Sequence, residues 1–290
     1  MKQLILVTGA GGQLGEAMAA QFAARHEVVA LRRHELDLSD ANAVHSTVGA
    51  VCPDVIVNCA AFTNVDGAER EPVLALSANA WAVRTLARAA VEINATLVHF
   101  STDFVFDGTQ ERPYTEEDAP NPRGTYAVSK LLGEWFAFDV PTHYVLRVES
   151  LFGGPRAASS IDKMLRMLQQ GEEVRAFSDR TVSPSFVDDV VAATMSLLER
   201  RSPSGLYHCV NTGWTTWSSL ARELARLVHL PNAPIKDTRM ADVTLLAPRP
   251  RFAALSNRKL LDEGIDMPTW QSALARYIDG VRPGSDRGQT

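Results

Sequence analysis

The sequence predicts an α/β fold in which a doubly wound parallel sheet is followed by a smaller C-terminal lobe. Short runs rich in Val, Ile and Leu alternate with amphipathic helical stretches through the first half of the chain. These runs are apolar on both faces, as strands covered by helices on both sides must be. The first of them, "LILVT", leads into "GAGGQLG", a glycine-rich turn that opens a helix. Together these features describe a Rossmann-like sheet, whose ligands bind at the carboxyl ends of the strands.

The strand candidates are Leu4–Thr8, Glu27–Leu31, 54–58, 96–101 and 142–148. Helical patterns between them cover 13–25, 40–51, 72–92 and 125–138. Pro72 suits the first turn of its helix, where an N–H would have no partner anyway. After Val148, the breakers Gly153, Gly154 and Pro155 interrupt the pattern. Helices near 160–170, Val187–Arg200 and 217–228, with a strand at 206–210, come next. Pro231, Pro234, Pro248 and Pro250 then mark long loops, and the polar tail "GVRPGSDRGQT" reads as loose.

A chain of 290 residues holds one large or two small domains, and 46% apolar with 22% charged residues is ordinary for a soluble enzyme. Twenty-nine Lys and Arg against thirty-four Asp and Glu leave a net charge of -5. That balance supplies no electrostatic basis for a nucleic acid or an anionic membrane as partner. The three cysteines, Cys52, Cys59 and Cys209, show neither metal nor disulfide spacing and fit a reducing cytoplasm. The apolar run of "MKQLILVTGA" is too short for a signal peptide or a membrane span. Seven scattered histidines form no ligand set, and His99 reads as a core residue.

Gly9, Gly12 and Gly15 are spaced to let the backbone turn tightly against a pyrophosphate, whose charge meets the N–H groups of a helix start. Residues 1–150 therefore read as a dinucleotide-binding domain. Residues 151–290 would then be mainly a substrate-binding lobe, with about 186–210 expected to pack back on the first domain. After the second strand stand Arg32 and Arg33, where an NAD site often has an acid. A guanidinium suits a 2′-phosphate, so NADPH is favoured and NADH stays open. Asp37 and Leu38 lie where they would touch the adenine. In "NCAAFTNVD", Ala60 and Ala61 are small enough for a cofactor to lie against, with Phe62 and Thr63 bordering it. In "TYAVSK", Tyr126 and Lys130 are four apart and share a helix face, so the ammonium would lower the phenol pKa toward use in proton transfer.

The glycine turn, "NCAAFTNVD", "STDFVFDG" and "YAVSK" together resemble the extended short-chain dehydrogenase/reductase superfamily. Within it the chain is most similar to the dTDP-4-dehydrorhamnose reductase family, along nearly its whole length. "GGQLG", "YTEEDAPNP", "DRTVSPSFVDDVV", "GLYHCVNTGWTTWSSLA" and "APRPRFAALSNRKL" stand in the expected order. The resemblance implies a reductase that passes hydride from NAD(P)H to the C4 ketone of a nucleotide-activated 4-keto-6-deoxy sugar. Its catalytic residues would be Thr102, on the C4 oxygen, Tyr126 as proton donor, and Lys130 on the nicotinamide ribose. Implied cofactor contacts are Gly9, Gly12, Gln13, Leu14, Gly15, Arg32, Asp37, Leu38, Ala60, Ala61, Phe62, Thr63, Asn79, Tyr126 and Lys130. Those for the substrate are Thr102, Asp103, Phe104, Ser150 and Arg249. The partner is thus a small nucleotide sugar, and a homodimer is compatible with the resemblance.

Departures from the family pattern fall on the substrate side. Phe104 stands where the family usually has Tyr, "RVES" where it has "RTSW", and Ala253 where it has Ser. Some members use a divalent cation; Asp188 and Asp189 match part of that site, but the first-helix Glu is replaced by Ala17, with Glu16 one residue earlier. One residue turns a helical side chain by about 100°, so no metal ligand is transferred and a role for Mg2+ stays open. A related epimerase or dehydratase, or a non-catalytic cofactor-binding subunit, are the competing readings.

Overall fold

A computed structural model describes residues 2–156 and 158–281. The first half contains β1 (Leu4–Thr8), α1 (Gln13–Phe22), β2 (Glu27–Leu31), α2 (Ala41–Val51), β3 (Val55–Asn58), α3 (Val65–Arg70), α4 (Pro72–Leu76) and α5 (Ala82–Glu92). Then come β4 (Thr96–Thr102), α6 (Thr125–Ala137) and β5 (His143–Val148). The second half contains β6 (Leu151–Phe152), α7 (Ser160–Gln169), β7 (Val174–Phe177), β8 (Thr181–Val182), β9 (Ser185–Phe186), α8 (Val187–Arg200) and β10 (Gly205–His208). It closes with β11 (Thr215–Thr216), α9 (Trp217–Leu227), β12 (Ile235–Thr238), α10 (Arg258–Asp262) and α11 (Trp270–Val281).

Six strands form one parallel sheet in the order β10-β5-β4-β3-β1-β2. The direction of winding reverses between β1 and β3, and a crevice opens at their carboxyl ends. Alternate strand residues feed two cores. Ile5, Val7, Val57 and Leu146 pack with Met18, Phe22, Val190 and Val191 of α1 and α8. Leu6, Ile56 and Leu97 pack with Val44, Val83 and Leu86 of α2 and α5. The double burial expected of the strands holds for β1, β3, β4 and β5, whereas the edge strand β2 is half-buried to exposed. A third core, built on Phe152, Leu165, Trp217, Leu220 and Leu274, supports the second half.

Several boundaries differ from the expected ones. The helix expected over 72–92 is helical throughout, but Ser77–Trp81 adopt a π-helical turn between α4 and α5. The wider turn brings Asn79 fully inside. Helix α3 was not expected; it is six residues long, starts at the side chain of Asn64, which accepts from the Gly67 N–H at 2.8 Å, and is too short for a periodic pattern. The long loops expected from the prolines hold β12, which pairs in parallel with β7. Helix α11 extends into the expected tail as far as Val281, and the rest of that tail lies outside the described residues.

Candidate functional site

The turn after β1 is built by backbone proximity. Gly9 has φ 69°, and a Cβ placed on it would stand 2.5 Å from the Ala60 nitrogen. A Cβ on Gly15 would lie 2.3 Å from the Gly9 carbonyl oxygen. The Gly12 N–H donates to that same oxygen at 2.9 Å. Gly12 caps α1 without a side-chain acceptor, which leaves N–H groups of the first helical turn directed at the crevice. These features fit a dinucleotide pyrophosphate. Leu14 is buried, and Gln13 donates to the Gly153 carbonyl at 2.9 Å, tying the turn to the second half. The Arg32 stem lies beside Gly11, its Cγ 3.6 Å from where a Cβ would be. Asp37 accepts from the Ser39 N–H and hydroxyl at 2.9 and 2.8 Å, and these bonds hold its carboxyl below the usual range. Leu38 is half-buried beside it.

At the end of β3, buried Asn58 accepts from the Thr8 hydroxyl (2.8 Å) and the Ala60 N–H (3.1 Å). His99 faces its amide at 3.2 Å and is held neutral, first by burial and then by the charge of Lys130. Thr63 and Ala61 are exposed, and Ala60 and Phe62 half-buried. Asn79, expected against the cofactor, is turned inward. Its carbonyl accepts from the Phe62 N–H at 2.8 Å, while its NH2 donates to the Phe62 carbonyl and to the Ser129 hydroxyl, each at 3.0 Å. Fully buried, it holds the Phe62 loop against α6. The π turn aims it inward, and no local pattern in the sequence signals that turn.

Thr102 ends β4. Its hydroxyl donates to Asp103 at 2.9 Å and accepts from the Phe104 N–H at 3.2 Å. From α6, the Tyr126 ring meets Phe104 edge-on with centroids 5.5 Å apart, and its hydroxyl lies near Thr102 and Asp103. The start of α6 is fixed from outside: Glu69 of α3 accepts from the Thr125 N–H (2.6 Å) and hydroxyl (3.0 Å). Lys130 is buried and donates to the Phe100 carbonyl at 2.5 Å; burial brings its ammonium down to about 8. The expected lowering of the Tyr126 pKa by Lys130 is not found. Burial, then the negative charge of Asp103, push the phenol above its ordinary value. A protonated Tyr126 is the form a proton donor needs.

On the substrate side Phe104 is a platform for two guanidiniums, with the Arg180 and Arg249 carbons 5.5 and 5.8 Å from its ring centre. Arg249 also pairs with Asp66 at 3.0 Å, and Arg180 donates to the Pro250 carbonyl at 3.3 Å. Asp103 is buried, which raises its carboxyl to about 6 against the opposing pull of Arg180. Glu149, one residue past β5, is also buried and accepts from the Ser183 N–H at 2.6 Å. Burial, and after it the charge of Asp103, lift its carboxyl well above the usual range. Ser150 follows in the left-handed region, φ 46°. Neither Glu149 nor Arg180 was singled out from the sequence; the sign available for Glu149 was an acid one step past a strand, as Asp103 is.

Elsewhere the acids are engaged. Asp189 accepts from Asn211 and Arg276, both at 2.6 Å, Asp188 from Gln21 at 3.0 Å, and Glu16 from Arg156 at 2.9 Å. Among the described residues no group of three or more His, Cys, Asp and Glu is placed to hold a metal, and no helix is long and apolar enough to cross a membrane.

Residues 1–282 match the family described as RmlD substrate binding domain. A dTDP-4-dehydrorhamnose reductase of Streptomyces griseus is 37% identical over 286 residues, spanning 95% of this chain and 93% of its own. The spore coat polysaccharide biosynthesis protein SpsK of Bacillus subtilis is 33% identical, covering 94% and 96%. Among solved structures, a dTDP-4-dehydrorhamnose reductase of Bacillus anthracis in complex with NADP superposes with a TM-score of 0.92 at 29% identity, over 97% of this chain and 100% of that one. A UDP-glucose 4-epimerase of Thermus thermophilus, at 19% identity and a TM-score of 0.81 over 95% and 98%, shares the fold.

Proposed function

Because the chain belongs to the RmlD substrate-binding-domain family, that of the dTDP-4-dehydrorhamnose reductases, we propose that it reduces dTDP-4-dehydrorhamnose to dTDP-L-rhamnose with NADPH. The observation that carries this reading is Tyr126 of α6 standing edge-on to Phe104 beside Thr102, at the carboxyl end of β4. The chemistry a nicotinamide would supply, when bound, is hydride for the sugar C4. Tyr126 is the donor that meets the C4 oxygen and gives up its proton as negative charge develops there, and Thr102 joins it as a second donor by turning its one hydroxyl proton from Asp103 to that oxygen. Lys130, still mostly cationic at pH 7 with a pKa of about 8, suits the ribose hydroxyls. Arg32 beside Gly11 supports NADPH over NADH through its charge on a 2′-phosphate. Residues 1–150 would hold the cofactor and 151–290 mainly the sugar nucleotide, with about 186–210 packed on the cofactor domain. The three free thiols fit a cytoplasmic setting.

The test is NADPH and NADH absorbance followed with dTDP-4-dehydrorhamnose and other nucleoside-diphosphate 4-keto sugars. Tyr126→Phe should lower kcat by about 10²–10⁴-fold while leaving NADPH affinity in place. If no sugar of the panel oxidises either cofactor, the reductase reading fails.

A further inference from the structure

Strands β4 and β5 lie side by side with Thr102 opposite Val148, so the residues that follow, Asp103 and Glu149, leave the sheet as neighbours. Both are buried, at 3% and 2% exposure, and each has one oxygen without a partner, Oδ2 of Asp103 and Oε1 of Glu149. Their remaining oxygens are held: Thr102 donates to Asp103, and the Ser183 N–H to Glu149. Facing the two acids is Arg180, fixed over Phe104 and by the Pro250 carbonyl, with Arg249 behind it neutralised by Asp66. Tyr126 completes the surroundings through Thr102. A buried acceptor without a donor is costly, and sites that bind donor-rich ligands leave such groups open for them.

We propose that Glu149 is a specificity-determining residue that works with Asp103 as a two-point receptor for the sugar hydroxyl vicinal to the ketone. This rests on the reductase reading above. In a 4-keto-6-deoxy sugar the carbons flanking C4 are C3, which bears a hydroxyl, and C5, which bears a methyl and the ring oxygen. The hydroxyl next to the reacting carbon is therefore the one at C3. Thr102 would meet the C4 oxygen, and Asp103 is the next residue along. A hydroxyl both donates and accepts. Around neutral pH the two carboxyls offer both functions, since Asp103 ionises at about 6 while Glu149 keeps its proton to higher pH. Glu149 donates to the hydroxyl oxygen, and Asp103 accepts its proton. Arg180 balances the one negative charge.

The experiment compares kcat/KM for a dTDP-4-keto-6-deoxyhexose and for its 3-deoxy counterpart, in wild type, Glu149→Gln, Glu149→Ala and Glu149→Leu. Wild type should prefer the hydroxylated sugar by about 10²-fold or more, as sites built to pair a hydroxyl do. Glu149→Leu and Glu149→Ala should bring that ratio within about tenfold of unity, mainly through KM for the hydroxylated sugar. Glu149→Gln, which keeps one donor and one acceptor, should retain most of the preference. NADPH affinity is the control for fold in each variant. A leucine or alanine variant that binds NADPH and keeps the wild-type ratio overturns the proposal, as does a wild type that reduces both sugars equally. A wild type that reduces neither sugar overturns the reductase reading itself.

Discussion

Two buried clusters of acid and arginine stand close together near the ends of β4 and β5, and they are built differently. Arg147 and Glu134 are 2% and 1% exposed and joined by paired bonds of 2.8 and 2.7 Å, with the guanidinium over Phe106 and close to His208. Every group in that pair is answered by the protein itself. Asp103 and Glu149 share a single guanidinium, Arg180, and keep two oxygens unanswered. A closed ion pair locks β5 to α6, whereas an open one keeps capacity for a ligand. The number of acids per arginine, more than the depth of burial, separates the two roles.

Breaking the closed pair should have the largest effect. Arg147→Met strands the Glu134 carboxylate in the core, and loss of one partner of a buried pair costs about 3–5 kcal/mol. Denaturant unfolding should show that loss, and the double variant Glu134→Met with Arg147→Met should recover most of it. A double variant as unstable as the single one would show that the arginine acts through packing on Phe106 alone.

The open cluster should answer in the opposite direction. Glu149 has a raised pKa in the folded protein, so between the ordinary value of 4.5 and that raised value the native state holds a proton the unfolded chain has released. Its contribution to stability is therefore full below pH 4.5 and is lost as pH rises through the folded value. Glu149→Gln removes that loss. It should leave the melting temperature near pH 4 unchanged and raise it progressively as pH climbs toward 8, because the amide has no proton to lose. An equal shift at every pH would mean that the carboxyl is not what carries the penalty.

What could be read in the sequence follows this division. Strands covered on both faces leave a local apolar pattern, and so does a turn whose glycines are needed for close approach, as with Gly9 and Gly15. The spacing of Tyr126 and Lys130 is likewise local, whereas the burial of Tyr126 and the charge of Asp103, which push its phenol up, come from the fold around the end of β4. The inward turn of Asn79 was not legible, because a π turn leaves no mark in helical periodicity. Glu149 and Arg180 look like ordinary surface charges in one dimension, and only the register of β4 on β5 brings the acid beside Asp103.

Glu69 tests a third kind of acid, half-buried and fully used, and it should show the smallest effect. Helix α6 begins at Thr125 behind Gly124, which has no side chain to cap it. Glu69 supplies the cap from 56 residues away, accepting both the Thr125 N–H and its hydroxyl, with its charge at the positive end of the helix. Glu69→Gln keeps one carbonyl acceptor and loses the charge, so it should cost about 0.5–1 kcal/mol, read as a melting shift of a few degrees. Tyr126 sits one residue into that first turn, so a looser helix start should lower kcat more than it changes NADPH affinity, which in the proposed function rests mostly on the turn after β1. Glu69→Ala removes both acceptors and should deepen the two effects together. If stability falls but kcat does not, the cap holds the helix without aiming the tyrosine.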